Sequence, residues 1–212
     1  MVPIIKKLAA EFYGEMPELS PDYCRIVSDR HFARLSAMLS ATQGTIVVGG
    51  ATSQETRFME LTVVTGVGWE DATMQVGNTT KHCDKILCEQ EEIFGPILPI
   101  ITVSSAEEAI NMINSRPKPL AMYVFTENKE TQAAFLNKTS SGGLVFNDTL
   151  MHLSMEQLPF GGVGDSGMGA YHGKHGFDTF THYKVGSLLI SIQLFALSIC
   201  SACHEEKPWL VW

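Results

Sequence analysis

The 212 residues carry a net charge of -8, with 45% hydrophobic and 18% charged side chains. That composition describes a core-building globular chain and excludes a disordered one. The acidic balance also excludes sequence-independent nucleic-acid binding, which needs a basic footprint.

The opening MVPIIKKLAAEFYGE lacks the continuous apolar run of a secretory leader. Instead Ile5, Leu8, Ala9 and Phe12 recur at helical spacing, and Gly14 closes the segment. SPDYC (20–24) reads as a turn. DRHFARLSAMLSA (29–41) predicts a second helix with Phe32, Leu35, Met38 and Leu39 on one face. TIVVGG (45–50) predicts a short strand stopped by paired glycines, and RFMELTVV (57–64) predicts another. From Gly66 to Lys85 the pattern dissolves into polar, glycine-bearing sequence with no assignable element. PILPIITV (96–103) is a continuous apolar run, the mark of a buried strand. A helix follows it, because Ser104 with Glu107 and Ser105 with Glu108 both have capping-box spacing. LAMYVFT (120–126) predicts a strand, ENKETQAAFLNKTS (127–140) a helix and GGLVFND (142–148) a further buried strand. Strand, helix, strand, helix, strand implies crossover connections and an α/β fold with a parallel sheet.

Several short motifs tempt a direct assignment. GVGDSG (162–167) matches the dinucleotide fingerprint letter for letter, but no strand-length apolar run precedes it and no clear helix follows. It reads as a glycine-rich loop. CSACH (200–204) spells a c-type haem attachment signature, yet no small helical domain surrounds it, and an accidental match is expected. His172 and His175 lack a neighbouring carboxylate or thiolate set, so they read as hydrogen-bonding loop histidines, not metal ligands. Five cysteines, an odd number without a spacing framework, imply reduced thiols in a reducing, cytoplasmic compartment.

EQEEIFGPILPI (89–100) is harder to dismiss, since it sets adjacent glutamates and a phenylalanine against a Gly-Pro turn at the mouth of a strand. With KPLAMYVFT, SSGGLVFND, LPFGGVGDSGMGAYHGK and FDTFTH following in that order, it resembles the C-terminal half of an NAD(P)-dependent aldehyde dehydrogenase of the class 3, fatty and aromatic aldehyde branch. The likeness spans roughly 1–65 and 88–187. It implies the parallel-sheet catalytic-domain portion of such an enzyme without its N-terminal cofactor domain. That portion runs over 1–163, with an atypical insert at 66–87, then a glycine-rich and bridging segment used for oligomerisation over 164–187, and an apolar tail over 188–212.

What the resemblance implies for single residues is specific. Glu92 is expected to accept hydrogen bonds from the nicotinamide ribose of NAD or NADP, and Phe94 to pack near the nicotinamide ring. An ionised carboxylate is acceptor-only and suits two hydroxyl donors, and a ring beside it limits where the nicotinamide can lie. Asn147 is expected to line the aldehyde pocket from a strand end, Phe160 to form its aromatic wall, and Tyr171 and His172 to stand near its entrance. The family's nucleophilic cysteine lies in a G-Q-x-C segment and its general base in an L-G-G-K-type segment; neither occurs in these residues. Cys24, Cys83 and Cys88 all have other surroundings. Leu61 stands where the family has a proline, a second departure.

Three functions follow: a family oxidoreductase that is truncated and catalytically incomplete alone, a non-catalytic module that pairs with full-length family subunits as a homo- or hetero-dimer, and a membrane-attached remnant. The last rests on Val185 to Cys203, which contains no charged residue. A run of this length fits either a membrane-spanning helix or a buried terminal segment.

Overall fold

The computed structural model describes residues 1–74 and 92–186, and the chain divides into two compact units, Met1–Ala109 and Ile110–Trp212. The first unit opens with α1 (Val2–Tyr13), which carries a proline in its first turn and ends at Gly14 with φ 78°. α2 (Asp29–Ala41) begins where the Ser28 hydroxyl accepts the His31 amide at 3.3 Å. Its predicted apolar face is realised, with Phe32, Leu35 and Met38 buried and Leu39 packed at the margin of the same core.

The strands that follow are β1 (Thr45–Val48), β2 (Thr52–Ser53), β3 (Phe58–Met59), β4 (Thr62–Thr65) and β5 (Ile97–Ile100). β4 is central in the order β1-β4-β5, antiparallel to β1 and parallel to β5. Its residues Thr62, Val63 and Val64 are fully enclosed. The single strand expected over 57–64 is therefore two strands in different sheets: β3 pairs with β2, and β4 with β1 and β5. The break has a local cause. The Glu60 amide donates to Ala51 O at 2.9 Å, while the Thr62 hydroxyl donates to Glu60 O at 2.7 Å and accepts from the Gly50 amide at 3.1 Å. Those bonds turn the chain at Glu60-Leu61 and close the β2–β3 hairpin. The expectation of a buried strand over 96–103 also needs correction. β5 is shorter, and in a strand successive side chains point to opposite faces, so Ile97 is buried while Leu98 is exposed.

The first residues of the stretch from Gly66 pack into the first unit. Val67, Asp71 and Thr73 are buried, and Val67 joins the core formed by Leu35, Met38, Met59 and Ile97. The Asp71 carboxylate accepts the Thr73 amide and hydroxyl at 2.9 and 2.7 Å, the Gln43 amide at 2.8 Å and the Thr42 hydroxyl at 2.8 Å. Four donors thus tie the C-terminus of α2 to the segment ending at Met74. The remainder of the expected insert, 75–87, lies outside the described residues.

α3 (Ala106–Asn114) follows β5 and starts at the Ser105–Glu108 pair: the Ser105 hydroxyl accepts the Glu108 amide at 3.1 Å, and the Glu108 carboxylate takes the Ser104 amide at 2.6 Å. At the Ser105–Glu108 pair the carboxylate reaches one residue further back than a capping box requires. In the second unit β6 (Ala121–Val124), α4 (Lys129–Lys138) and β7 (Gly143–Phe146) make a strand–helix–strand crossover with parallel register from Ala121↔Gly143 to Val124↔Phe146. The α/β expectation holds, with mixed sheets in place of a purely parallel one.

GVGDSG forms a short 3-10 turn, Gly164–Ser166, consistent with a loop. A side chain at Gly162 would meet Ser166 O at 2.1 Å, so close backbone packing accounts for the glycine there. Of the two histidines expected on a loop, His172 lies just before a helix and His175 within it. They open α5 (Gly173–Thr179), where the His175 amide donates to His172 O at 3.0 Å. Among the described residues no Cys, His, Asp and Glu cluster could hold a metal ion, and no helix is long and apolar enough to cross a membrane. CSACH and the tail from 187 onward lie outside the described residues.

Candidate functional site

Each unit carries part of the expected site. In the first, Glu92 is exposed and takes no hydrogen bond among the described residues, so its carboxylate is free to accept. Phe94 is 77% exposed with φ 45°. A left-handed backbone at a bulky residue is strained by about 1–3 kcal/mol and persists only where the surroundings over-determine it. They do so here. The Arg34 guanidinium donates to Ile93 O at 2.7 Å, and the Thr62 amide donates to Pro96 O at 2.8 Å. Gly95 lies directly on Leu35, whose Cδ1 would stand 2.5 Å from a Cβ at that position. The turn is clamped from behind by α2 and β4, and its ring faces out.

A cavity of about 530 Å³ adjoins the turn, lined by Phe94, Gly95, Tyr13, Tyr23, Arg25 and His31 among others. Its tyrosines are structural in character. Tyr23 stands edge-on to Tyr13 at 4.9 Å and donates its hydroxyl to Met59 O at 2.8 Å. Burial, helped by Tyr13 and Glu60, pushes the Tyr23 phenol up to about 12. Arg25 lies over the Phe58 ring, 5.2 Å from its centroid, and donates to Tyr23 O at 2.8 Å and to Glu18 O. Cys24 is the free thiol among the described residues, and it is exposed.

In the second unit Asn147 stands at the end of β7, as expected, with φ 58°. Its side chain is already engaged: Oδ1 accepts the Thr126 amide at 2.8 Å and Nδ2 donates to Thr126 O at 3.1 Å. The amide therefore clamps the ends of β6 and β7 to each other. Phe160, Tyr171 and His172 do come together. Phe160 and Tyr171 exchange backbone hydrogen bonds of 3.0 and 2.9 Å in an isolated bridge. The Phe160 ring is edge-on to Tyr171 at 5.5 Å and stacked on His172 at 5.9 Å. His172 has φ 88°, a second strained position. The cluster continues to two residues that sequence reasoning missed, His152 at 5.9 Å from Phe160 and Tyr123 at 5.8 Å from His152. Both nitrogens of His152 and Nδ1 of His172 are buried without a hydrogen-bond partner among the described residues. This arrangement presents a partly exposed aromatic surface, with Tyr171 exposed at its edge, and it includes no thiol.

Residues 14–185 match the model of the aldehyde dehydrogenase family. The chain belongs to that family. It is 46% identical over 184 residues to the 4,4'-diaponeurosporen-aldehyde dehydrogenase of Staphylococcus aureus, covering 87% of this chain and 37% of that protein. It is likewise 46% identical to aldehyde dehydrogenase family 3 member A2 of Rattus norvegicus, covering 87% of this chain and 34% of the relative. Among solved structures, the substrate-bound state of Staphylococcus aureus AldH superposes with a TM-score of 0.76 at 44% identity, over 91% of this chain and 40% of that one. An NAD-dependent aldehyde dehydrogenase from Sinorhizobium meliloti gives a TM-score of 0.62 at 25% identity, over 76% of this chain and 29% of that one. The chain thus spans about a third of the length of the curated relatives it matches.

Proposed function

We propose that this chain supplies the nicotinamide-ribose contact and the aldehyde-pocket wall of a class 3, NAD(P)-dependent aldehyde dehydrogenase, as the C-terminal half of its catalytic machinery. The observation that carries the reading is the Glu92–Pro96 turn: an acceptor carboxylate without a partner among the described residues, beside an outward-facing phenyl ring, both on a backbone clamped from behind. Those residues fit a nicotinamide ribose. Glu92 would accept its hydroxyls and Phe94 would limit the tilt of the ring, while the bound dinucleotide supplies the hydride acceptor. In the second unit Phe160, Tyr171 and His172 would line the aldehyde pocket, and Asn147 would hold the strand ends beneath it. The thiolate and base of the reaction lie in segments not among these 212 residues, so turnover requires a complementary portion.

Glu92→Gln in this sequence joined to a family cofactor domain tests the reading. A misplaced ring harms hydride transfer more than binding, so turnover should fall further than KM for the dinucleotide rises. Unchanged steady-state kinetics would make Glu92 a solvated surface carboxylate.

A second reading, a non-catalytic module that pairs with full-length family subunits, is favoured by one feature. Ile4, Leu8 and Phe12 form an exposed apolar stripe at four-residue spacing on α1, of the kind that marks a protein contact. Co-purification with a full-length family subunit, lost in Leu8→Glu, would support it. Carbonate-resistant membrane pelleting of a reporter carrying residues 183–212 separates a membrane anchor from a buried tail.

A further inference from the structure

We infer that His152 is a positioning residue: it fixes the Phe160 ring and thereby sets how long an aldehyde the pocket takes. This inference rests on the aldehyde-pocket reading of Phe160. The wall itself is lightly held. Phe160 has an isolated bridge to Tyr171 in place of a strand ladder, so the placement of its ring depends on its ring neighbours. On one side these are Tyr171 and His172. On the other, His152 is the link to the β6–β7 sheet: its imidazole meets Phe160 at 5.9 Å and Tyr123 of β6 at 5.8 Å. It also lies over β7, where its Nε2 is 3.2 Å from the place a Cβ on Gly143 would occupy.

As packing alone this is an expensive choice. A neutral imidazole carries one donor and one acceptor, and both His152 nitrogens are buried without partners among the described residues. An apolar ring would fill the space without stranding polar atoms. An unsatisfied buried group of this kind marks a position that serves geometry at the expense of stability. The small flat ring between the bare backbone of Gly143 and the tilted Phe160 ring transmits the position of the sheet to the pocket wall. Removing the imidazole lets Phe160 fall back and deepens the pocket. Adding a methyl beneath it pushes the imidazole, and Phe160, the other way.

The test uses the 212-residue chain and two unreactive aldehyde isosteres, hexanamide and decanamide, with dissociation constants followed through the NMR resonances of Phe160 and Tyr171. His152→Ala should shift the preference toward decanamide by about tenfold, the scale on which a hydrophobic pocket discriminates a methylene. His152→Phe should restore the original preference. Gly143→Ala, which leaves His152 in place, should shift it toward hexanamide. Opposite shifts from the two variants are not expected of a residue that only contributes stability, and Gly143→Ala decides the matter if His152→Ala fails to fold. Binding with a preference unchanged in Gly143→Ala and His152→Ala would overturn the inference and leave the pocket reading standing. If the unsubstituted chain binds neither amide, the pocket reading falls and the inference falls with it.

Discussion

Asp71→Asn should destabilise the first unit by about 2–4 kcal/mol, and the geometry says why. One carboxylate oxygen accepts the Thr73 amide and hydroxyl and the Thr42 hydroxyl, while the other accepts the Gln43 amide at 2.8 Å. With the amide nitrogen at the second position, two N–H groups face each other, and stranding a buried donor costs about 1–3 kcal/mol. The bonds that survive lose their charge assistance, which roughly halves them. The assay is urea unfolding followed by Trp69 fluorescence in a chain carrying Trp209→Phe and Trp212→Phe, since Trp69 lies two residues from Asp71. At about 1–3 kcal/mol per molar of urea, the midpoint should fall by about 1–2 M. The pH dependence gives a second handle. Burial pushes the Asp71 carboxyl up, but hydrogen bonds from Thr73, Gln43 and Thr42 together hold it below its ordinary 3.8. A depressed native pKa means that its stabilisation is present above the ordinary value and lost as pH falls through the native one. The gap between wild type and Asp71→Asn should therefore close in strong acid. A midpoint unchanged at neutral pH would refute the hub, and with it the placement of 66–74 inside the fold.

Further outcomes follow from the two site segments. Gly95→Ala puts a Cβ 2.5 Å from Leu35 Cδ1; overpacking of this kind costs about 1–3 kcal/mol, and a melting temperature equal to wild type would contradict it. Asn147→Ala removes both bonds to Thr126 and leaves a non-glycine residue at φ 58°. Amide exchange at Thr126 should rise about fivefold, as loss of an exposed hydrogen bond worth about 1 kcal/mol implies, and unchanged protection would show that the clamp is not formed. The 212-residue chain alone should not oxidise aldehydes at an enzyme-like rate, because individual removal of a nucleophile or base costs several orders of magnitude. Saturable NADH production that survives Cys24→Ala, Cys83→Ala and Cys88→Ala would overturn that expectation.

Local physics made much of the fold legible. α2 could be bounded from its apolar face, because periodicity is written within a few residues. The split between β3 and β4 could not, since it arises from bonds between Glu60 or Thr62 and residues ten or so positions earlier. The Asp71 hub was hidden for a similar reason. Two of its donors come from the end of α2, some thirty positions earlier, and the polar sequence around it has no period to betray burial. At the site, the resemblance marked Phe160, Tyr171 and His172, which the fold brings together. His152 and Tyr123 carry no such signal, because an isolated histidine in MHLS acquires meaning only when the chain returns over β7. Asn147 was legible in position but not in use: a strand-end amide suggests a ligand contact, and only the coordinates of Thr126 reveal what occupies it.

The central claim is that the Glu92–Pro96 turn receives a nicotinamide ribose. Titration of the 212-residue chain with reduced nicotinamide mononucleotide, which carries the ring and ribose without the adenosine half, tests it most directly. Saturable NMR shifts should centre on Ile93, Phe94 and Gly95. Glu92→Gln should weaken binding at least about tenfold, the loss expected when a hydrogen bond to a charged acceptor is replaced, while Glu60→Gln in the same unit should leave it unchanged. Shifts absent from the turn, or equal affinity in wild type and Glu92→Gln, would contradict the account.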